Sequence, residues 1–103
     1  MFYIYQGRSF ICPAFFNLKL MAFVYILFSD RINSYYVGST NDLADRLKRH
    51  NSGCSTFTKR GIPWLLIYKK EYYTNSEAYQ AELYIKSQKS RKYIEELIAK
   101  QSL

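Results

Sequence analysis

Apolar runs along the chain predict three β-strands. Residues 22–28 are apolar at every position and rich in aromatic and β-branched types, which is typical of a strand covered on both faces. After a polar turn, residues 35–38 predict a second strand that forms a hairpin with the first. A third strand is predicted over residues 64–68, and its continuation to Tyr72 is left open. If the outer strands both run antiparallel to the first, the first lies at the centre of the sheet.

A helix is predicted between the second and third strands. Thr40 or Asn41 can cap its start, and its leucines lie one turn apart. The helix should run to about Asn51, with Gly53 as its stop. Residues 52–63 are then expected to form a loop.

Two further helices are predicted after the third strand. Thr74 and Glu77 have the spacing of a capping box, which opens a helix over residues 75–87. Another helix begins after Ser90. The chain therefore predicts an α+β domain in which a three-stranded, mostly antiparallel sheet is flanked by three helices, in the order β-β-α-β-α-α.

The first twenty residues differ from the rest of the chain. They contain no acidic residue and have neither a basic start, an unbroken apolar stretch nor a small-residue cleavage site, so they make a poor signal peptide. We predict that residues 1–20 are an N-terminal extension, that translation starts at Met21, and that the domain spans residues 21–103. Intact Met1 in N-terminal mass determination of the native protein would contradict this prediction.

The composition favours a phosphate-rich partner. Fifteen lysines and arginines against eight acids give a formal net charge of +7, and such a surplus attracts nucleic acid through counterion release. The alternative is a small basic protein that is merely soluble.

The sequence contains no run of 18 or more apolar residues, so it predicts no membrane span. Cys12 and Cys54 form no CxxC pair, which favours neither a disulfide framework nor a thiolate zinc site and fits a reducing cytoplasm.

The first helix carries an arginine and a histidine on its apolar face. Arg46 follows Leu43 by three positions and precedes His50 by four, so both polar side chains should point toward the sheet. The alternative is that Arg46 reaches past the edge of the core and that His50 is a satisfied residue at the helix end.

The second helix carries an acid beside its apolar stripe. Glu82 follows Ala78 by four positions and precedes Ile85 by three. A buried carboxylate is costly unless it is paired or binds a cation. An ion pair with Lys86, one turn further along, is the competing interpretation.

Two tyrosines complete a pattern in the sequence. Tyr25 lies in the tripeptide at residues 23–25 and Tyr36 in the tripeptide at residues 36–38, and Arg46, His50 and Glu82 follow them. Any one of eleven tyrosines is more easily explained as a core residue. In order and spacing, however, the set resembles the GIY-YIG nuclease superfamily, and is closest to its small stand-alone, single-domain branch.

The resemblance implies a role for each of these residues. The family's two tyrosines fall on Tyr25 and Tyr36, either of which would be the general base, and its arginine on Arg46, which would bind phosphate oxygens. Its histidine falls on His50, which would orient the base or the phosphate. Its metal-binding glutamate falls on Glu82, which would hold a single divalent ion, Mg²⁺ or Mn²⁺.

The resemblance also has three departures. Phe23 replaces the glycine that opens the first motif, Ser39 replaces a lysine found in the excision-repair branch, and no asparagine follows Glu82 as in several members. The last two departures bear on turnover and on strand preference.

Basic residues are expected to line a groove around the site. The predicted nucleic-acid-binding residues are Lys48, Arg49, Lys59, Arg60, Lys86, Lys89, Arg91 and Lys92. Tyr68, Tyr72 and Tyr73 would add stacking surfaces. The alternative is a solvated junction between helices.

The resulting hypothesis is a metal-dependent endonuclease that hydrolyses phosphodiester bonds, with DNA preferred over RNA and DNA repair as its setting. No second DNA-reading domain is evident, so low specificity or targeting by a protein partner is expected. One alternative is a non-catalytic nucleic-acid-binding module that keeps the fold. A structural subunit whose tyrosines meet another protein is a third interpretation.

Overall fold

The computed structural model describes residues 21–102, so the predicted N-terminal extension lies outside the described part of the chain. The strands are β1 (Ala22–Ser29), β2 (Ser34–Thr40) and β3 (Trp64–Tyr72). They form one sheet in the order β2-β1-β3, and β1 is antiparallel to both neighbours. The predicted central position of the first strand is therefore confirmed, and the third strand does continue to Tyr72.

The helices are α1 (Leu43–Asn51), α2 (Thr56–Lys59), α3 (Asn75–Ser87) and α4 (Arg91–Ser102). The bounds predicted for the helix over residues 75–87 agree with α3. The prediction of a plain loop at residues 52–63 was wrong, because the single turn of α2 interrupts it. No helix within the described residues is long and apolar enough to cross a membrane.

The start of α1 differs from the sequence prediction. Its N-cap is Asp42, whose carboxylate accepts a hydrogen bond from the Asp45 amide at 3.0 Å. Thr40 instead accepts from the Asp42 amide, also at 3.0 Å, and so supports the turn before the helix. Thr40 and Asn41 were the wrong caps because the residue directly before the first apolar position, Leu43, takes this role.

The two faces of the sheet carry different helices. One face packs Val24, Ile26 and Val37 against residues of α3 and α4. The other packs Tyr25, Leu27, Tyr36 and Trp64 against residues of α1 and α2. This division follows from the strand period of two, since neighbouring side chains along β1 point to opposite faces.

A bulge in β3 places the side chains of Leu66 and Tyr68 on opposite faces of the sheet. Ile26 pairs with Tyr68 whereas the next residue, Leu27, pairs with Leu66, so Ile67 is the extra residue. As a result, Leu66 packs on the face with α1 and Tyr68 belongs to the core beneath α3. The expectation that Tyr68 offers a stacking surface to nucleic acid was therefore wrong.

Candidate active site

Three of the predicted site residues form one aromatic cluster on the face that carries α1. The Tyr25 hydroxyl and His50 Nε2 share a hydrogen bond at 3.0 Å. The Tyr36 ring lies edge-on to the His50 ring at 4.6 Å between centroids and stacks on the Tyr25 ring at 6.4 Å. Both tyrosines pack in the core cluster that includes Leu43 and Leu47 of α1.

Arg46 is buried on α1 one turn before His50, and it lies close enough to both phenols to lower their pKa values. Its Nε atom is buried and has no hydrogen-bond partner among the described residues, and the same holds for Nδ1 of His50. Buried polar atoms without partners are rare and costly, so each calls for an explanation. An anionic ligand would satisfy the guanidinium, because its nitrogens only donate.

Burial sets the protonation states of the aromatic cluster. Desolvation raises the pKa of Tyr36 to about 12, the charge of Glu82 adds to the rise, and the Arg46 guanidinium opposes it. Desolvation also raises the pKa of Tyr25, with the neighbouring Tyr36 adding and Arg46 opposing. Desolvation and the nearby Arg46 and Arg49 lower the pKa of His50 to about 4. At neutral pH the two phenols and the imidazole are all uncharged.

Glu82 lies on the other side of β2. Its carboxylate is 1% exposed and is held by two short contacts. One oxygen accepts from the Ser39 hydroxyl at 2.6 Å, and the other accepts from the Lys86 ammonium at 2.6 Å. The expected burial beside the apolar stripe is confirmed, and so is the competing ion pair with Lys86.

The predicted site is thus built in two halves that meet at an edge strand. Ser39 pairs with Val24 and therefore lies on the face beneath α3, whereas Gly38 pairs with Tyr25 and lies on the face beneath α1. Glu82 contacts Ser39 and Lys86 directly. It acts on the two phenols through its negative charge, which raises their pKa values. The structure brings Tyr25, Tyr36, Arg46 and His50 together directly and joins Glu82 to them across β2.

One glycine makes the phenol cluster possible. Gly38 faces Tyr25 across β1 and β2, and a Cβ atom at this position would lie 2.5 Å from the Tyr25 hydroxyl. Only a residue without a side chain leaves room for the Tyr25 ring at this point. The glycine of the second motif therefore serves the packing of the first motif's tyrosine.

α1 is fastened to the sheet by an asparagine that the sequence analysis did not single out. The Asn51 side chain accepts from the backbone amide of Trp64 at 2.6 Å and donates to its carbonyl at 3.1 Å. The Trp64 indole in turn donates to the Thr58 carbonyl of α2 at 2.7 Å. These bonds fix the helix that presents Arg46 and His50.

Four of the eight predicted basic residues line one groove with a volume of about 880 Å³. We call it the basic groove and define it by Arg60, Lys86, Lys89 and Arg91. Its wall also includes Phe57 and Trp64, which contact the Tyr36 ring, so the groove adjoins the phenol cluster. The remaining four, Lys48, Arg49, Lys59 and Lys92, are exposed but do not line it.

The donors around Glu82 suit a single hard cation. Within residues 21–102, no group of three or more histidine, cysteine, aspartate or glutamate side chains could hold a metal ion. A cation there would have one protein carboxylate, with the Ser39 hydroxyl beside it as a second oxygen. Mg²⁺ tolerates such a site because it retains most of its water ligands. The residues fit the ion on the condition that the Lys86 ammonium gives up its contact with Glu82.

Comparison with known proteins identifies the class to which this fold and site belong. The GIY-YIG catalytic domain matches residues 21–94, so the chain belongs to the GIY-YIG family, whose nucleases act on nucleic acid and in general use a divalent metal. The chain is 46% identical over 68 residues to the UPF0213 protein YazA of Bacillus subtilis, a match that covers 62% of this chain and 69% of YazA. It is 42% identical over 67 residues to a UPF0213 protein of Clostridium perfringens, covering 64% and 71% of the two chains.

A solved structure supports the same assignment. The solution NMR structure of a UPF0213 protein from Bacillus halodurans superposes with a TM-score of 0.50 at 31% identity, over 77% of this chain and 83% of that one. The resemblance to small stand-alone members of the family, predicted from the sequence, is therefore confirmed.

Sequence reasoning missed the immediate surroundings of the carboxylate. Ser39 was considered only as a departure from the family pattern, yet its hydroxyl contacts Glu82. Strand alternation does place Ser39 on the same face as Val37, but only the structure shows that this face packs beneath α3.

Proposed function

We propose that this protein is a divalent-metal-dependent endonuclease that hydrolyses phosphodiester bonds, with DNA as its preferred substrate. The observation that carries the proposal is the buried guanidinium of Arg46, packed with two phenols and an imidazole and left with an unpartnered Nε atom. A phosphate oxygen is the ligand that such a guanidinium fits, because both the charge and the planar donor geometry match.

Each side chain has a role that follows from its place. Arg46 binds the oxygens of the scissile phosphate and neutralises the charge that develops there. Tyr36 is the better candidate for the general base, because its pKa is raised less than that of Tyr25. His50 is bonded to the Tyr25 hydroxyl and holds that ring in place behind Tyr36.

Glu82 anchors the metal ion, for which we propose Mg²⁺ or Mn²⁺. An ion held there would lower the pKa of a water molecule bound to it and would offset the negative charge on the leaving oxygen. The Tyr36 phenol, with a pKa of about 12, is protonated at neutral pH, so it needs added positive charge nearby before it can accept a proton. Arg46 already lowers this pKa, and the basic groove holds the strand on either side of the cleavage point.

The test compares the wild-type protein with Glu82→Gln on plasmid DNA, branched DNA and RNA. Glutamine keeps the shape of the side chain and an oxygen that can accept from Ser39, but it removes the anionic ligand. We expect cleavage by the wild type in Mg²⁺, loss of cleavage on chelation, and no cleavage by the folded Glu82→Gln protein. Undiminished cleavage by a clean preparation of that variant would refute the proposal.

A second candidate is a nucleic-acid-binding module without turnover. It is favoured by one observation, which is that Ser39 and Lys86 already occupy both oxygens of Glu82. Such a module would bind DNA with a strong salt dependence, as the enzyme would, but would leave it intact in Mg²⁺. Cleavage that stops on chelation separates the two candidates.

A further inference from the structure

The ion pair between Glu82 and Lys86 differs from the other ion pairs of the described residues. Its two side chains are 1% and 10% exposed. In the pairs Arg49–Asp45 and Arg91–Glu95 every side chain is about half exposed. Exposed pairs are screened by water, whereas a buried carboxylate depends on the cation that contacts it. Lys86 is therefore the resident counterion of Glu82.

A divalent cation on Glu82 would compete with this lysine. The contact of Glu82 with Ser39 is neutral, so within residues 21–102 the ammonium at 2.6 Å is the positive charge in direct contact with the carboxylate. An ion bound to the same carboxylate would lie within a few ångströms of the ammonium, and like charges at that distance repel strongly in a poorly hydrated site. The two cations cannot both keep full contact.

The fold offers the displaced lysine a second position. Lys86 is on the last turn of α3, and its side chain also lines the basic groove with Arg60, Lys89 and Arg91. Its flexible four-carbon stem allows the ammonium to move without any change in the backbone. In the groove the ammonium would meet the phosphates of a bound strand.

We propose that Lys86 exchanges partners during loading, and this inference rests on the proposed function. A divalent cation displaces the Lys86 ammonium from Glu82, and the released ammonium then binds a substrate phosphate in the basic groove. Lys86 thereby makes metal binding and substrate binding mutually supportive, because the same charge leaves one site and serves the other.

The first experiment measures Mn²⁺ affinity by electron paramagnetic resonance of the free ion, with no nucleic acid present. We expect Lys86→Met to bind Mn²⁺ about tenfold more tightly than the wild type, which corresponds to about 1.4 kcal/mol. The matched control is Lys89→Met, which removes an equal charge from the same groove but has no contact with Glu82. It should bind Mn²⁺ within about twofold of the wild type. Equal or weaker binding by Lys86→Met would overturn the proposal.

The second experiment uses the wild-type protein, so it stands even if Lys86→Met does not fold. Lysines are acetylated briefly with acetic anhydride, with and without Mg²⁺ at constant ionic strength, and quantified by mass spectrometry. We expect Mg²⁺ to increase labelling of Lys86 several-fold and to leave Lys89 unchanged. Labelling of Lys86 that does not respond to saturating Mg²⁺ would contradict displacement.

The Glu82→Gln protein separates failure of this inference from failure of the proposed function. If it binds Mn²⁺ as tightly as the wild type, or if neither the wild type nor Lys86→Met binds Mn²⁺, the metal site at Glu82 is wrong and both proposals fall. If Mn²⁺ binding requires Glu82 but is indifferent to Lys86, the metal site stands and the exchange of partners is refuted.

Discussion

Gly38 and Tyr25 show how closely the site depends on single atoms. The two residues are paired across β1 and β2, and the space above Gly38 is filled by the phenol ring. The Tyr25 hydroxyl reaches His50 at 3.0 Å only because the ring lies in this space. A methyl group on Gly38 would push the ring away from its partner.

We expect Gly38→Ala to destabilise the domain by about 1–3 kcal/mol, the usual cost of overpacking a buried site, and to lower the cleavage rate more than it lowers metal affinity. Chemical denaturation monitored by circular dichroism measures the first effect. The control is Gly38→Ala combined with Tyr25→Phe, which removes the nearest clashing atom, the hydroxyl. The double variant should lose less free energy than the two single changes added together. Strict additivity would show that the Tyr25 hydroxyl is not the group that Gly38 accommodates.

Prediction from sequence worked for residues whose position depends on one element. Helix periodicity alone places Arg46 and His50 on one face, and both are buried as expected. It did not reveal contacts that depend on how elements meet. The contact of Ser39 with Glu82 requires the register of β2 and the position of α3 together, and neither is written in local spacing.

At the level of elements, α1 is secured at both ends. Asp42 caps its first turn, and Asn51 fastens its last residue to the start of β3. This short helix carries both Arg46 and His50, so its stability bears directly on the candidate site. α3, which carries Glu82, has a comparable cap in Thr74.

We expect Asp42→Ala to cost about 1 kcal/mol of stability, because the Asp45 amide loses its acceptor and the negative charge leaves the positive end of the helix. Hydrogen exchange of the α1 amides should accelerate, whereas exchange in α3 should change little. Thr74→Ala is the matched control and should give the reverse pattern, since Thr74 accepts from the Glu77 amide at 3.1 Å. Unchanged protection of α1 in Asp42→Ala would rule out this role for the cap.

Elements with strong local signals were predicted well. The cap at Thr74 and the apolar stripe define α3, and the apolar run defines β1. The single turn of α2 has four residues, too few for a periodic pattern, and is held by tertiary contacts such as the bond from the Trp64 indole to Thr58. Sequence patterns of this length carry no signal that distinguishes a helical turn from a loop.

At the level of the whole molecule, the site exists only in the complete domain. The phenol cluster lies on the face covered by α1 and α2, whereas the carboxylate lies on the face covered by α3 and α4. β2 separates the two halves and also joins them, because Tyr36 and Ser39 are both on this strand. A change of pH that lowers the free energy of unfolding should therefore also disturb the arrangement of the site.

Acid should reveal this connection through His50, the one histidine in the sequence. Its pKa is lowered from 6.5 to about 4 in the folded protein, so the unfolded chain takes up a proton first as the pH falls. The ionisation of His50 therefore leaves the stability unchanged above about pH 6.5. As the pH falls from 6.5 to 4, the stability that its low pKa contributes is lost. The linkage predicts a loss of about 2 kcal/mol between pH 7.5 and 5, a range in which most carboxylates remain ionised.

Urea denaturation at a series of pH values measures this loss, and His50→Gln supplies the control. Glutamine can still meet the Tyr25 hydroxyl but does not titrate, so the stability of the variant should be nearly flat between pH 7.5 and 5 even if its absolute value is lower. NMR titration of the imidazole gives the folded pKa independently. Two results would contradict this prediction: a wild-type stability that changes as little with pH as that of the variant, or an imidazole that titrates near 6.5 in the folded state. Either would mean that His50 is hydrated, and the model of a buried, uncharged phenol–imidazole cluster would have to be abandoned.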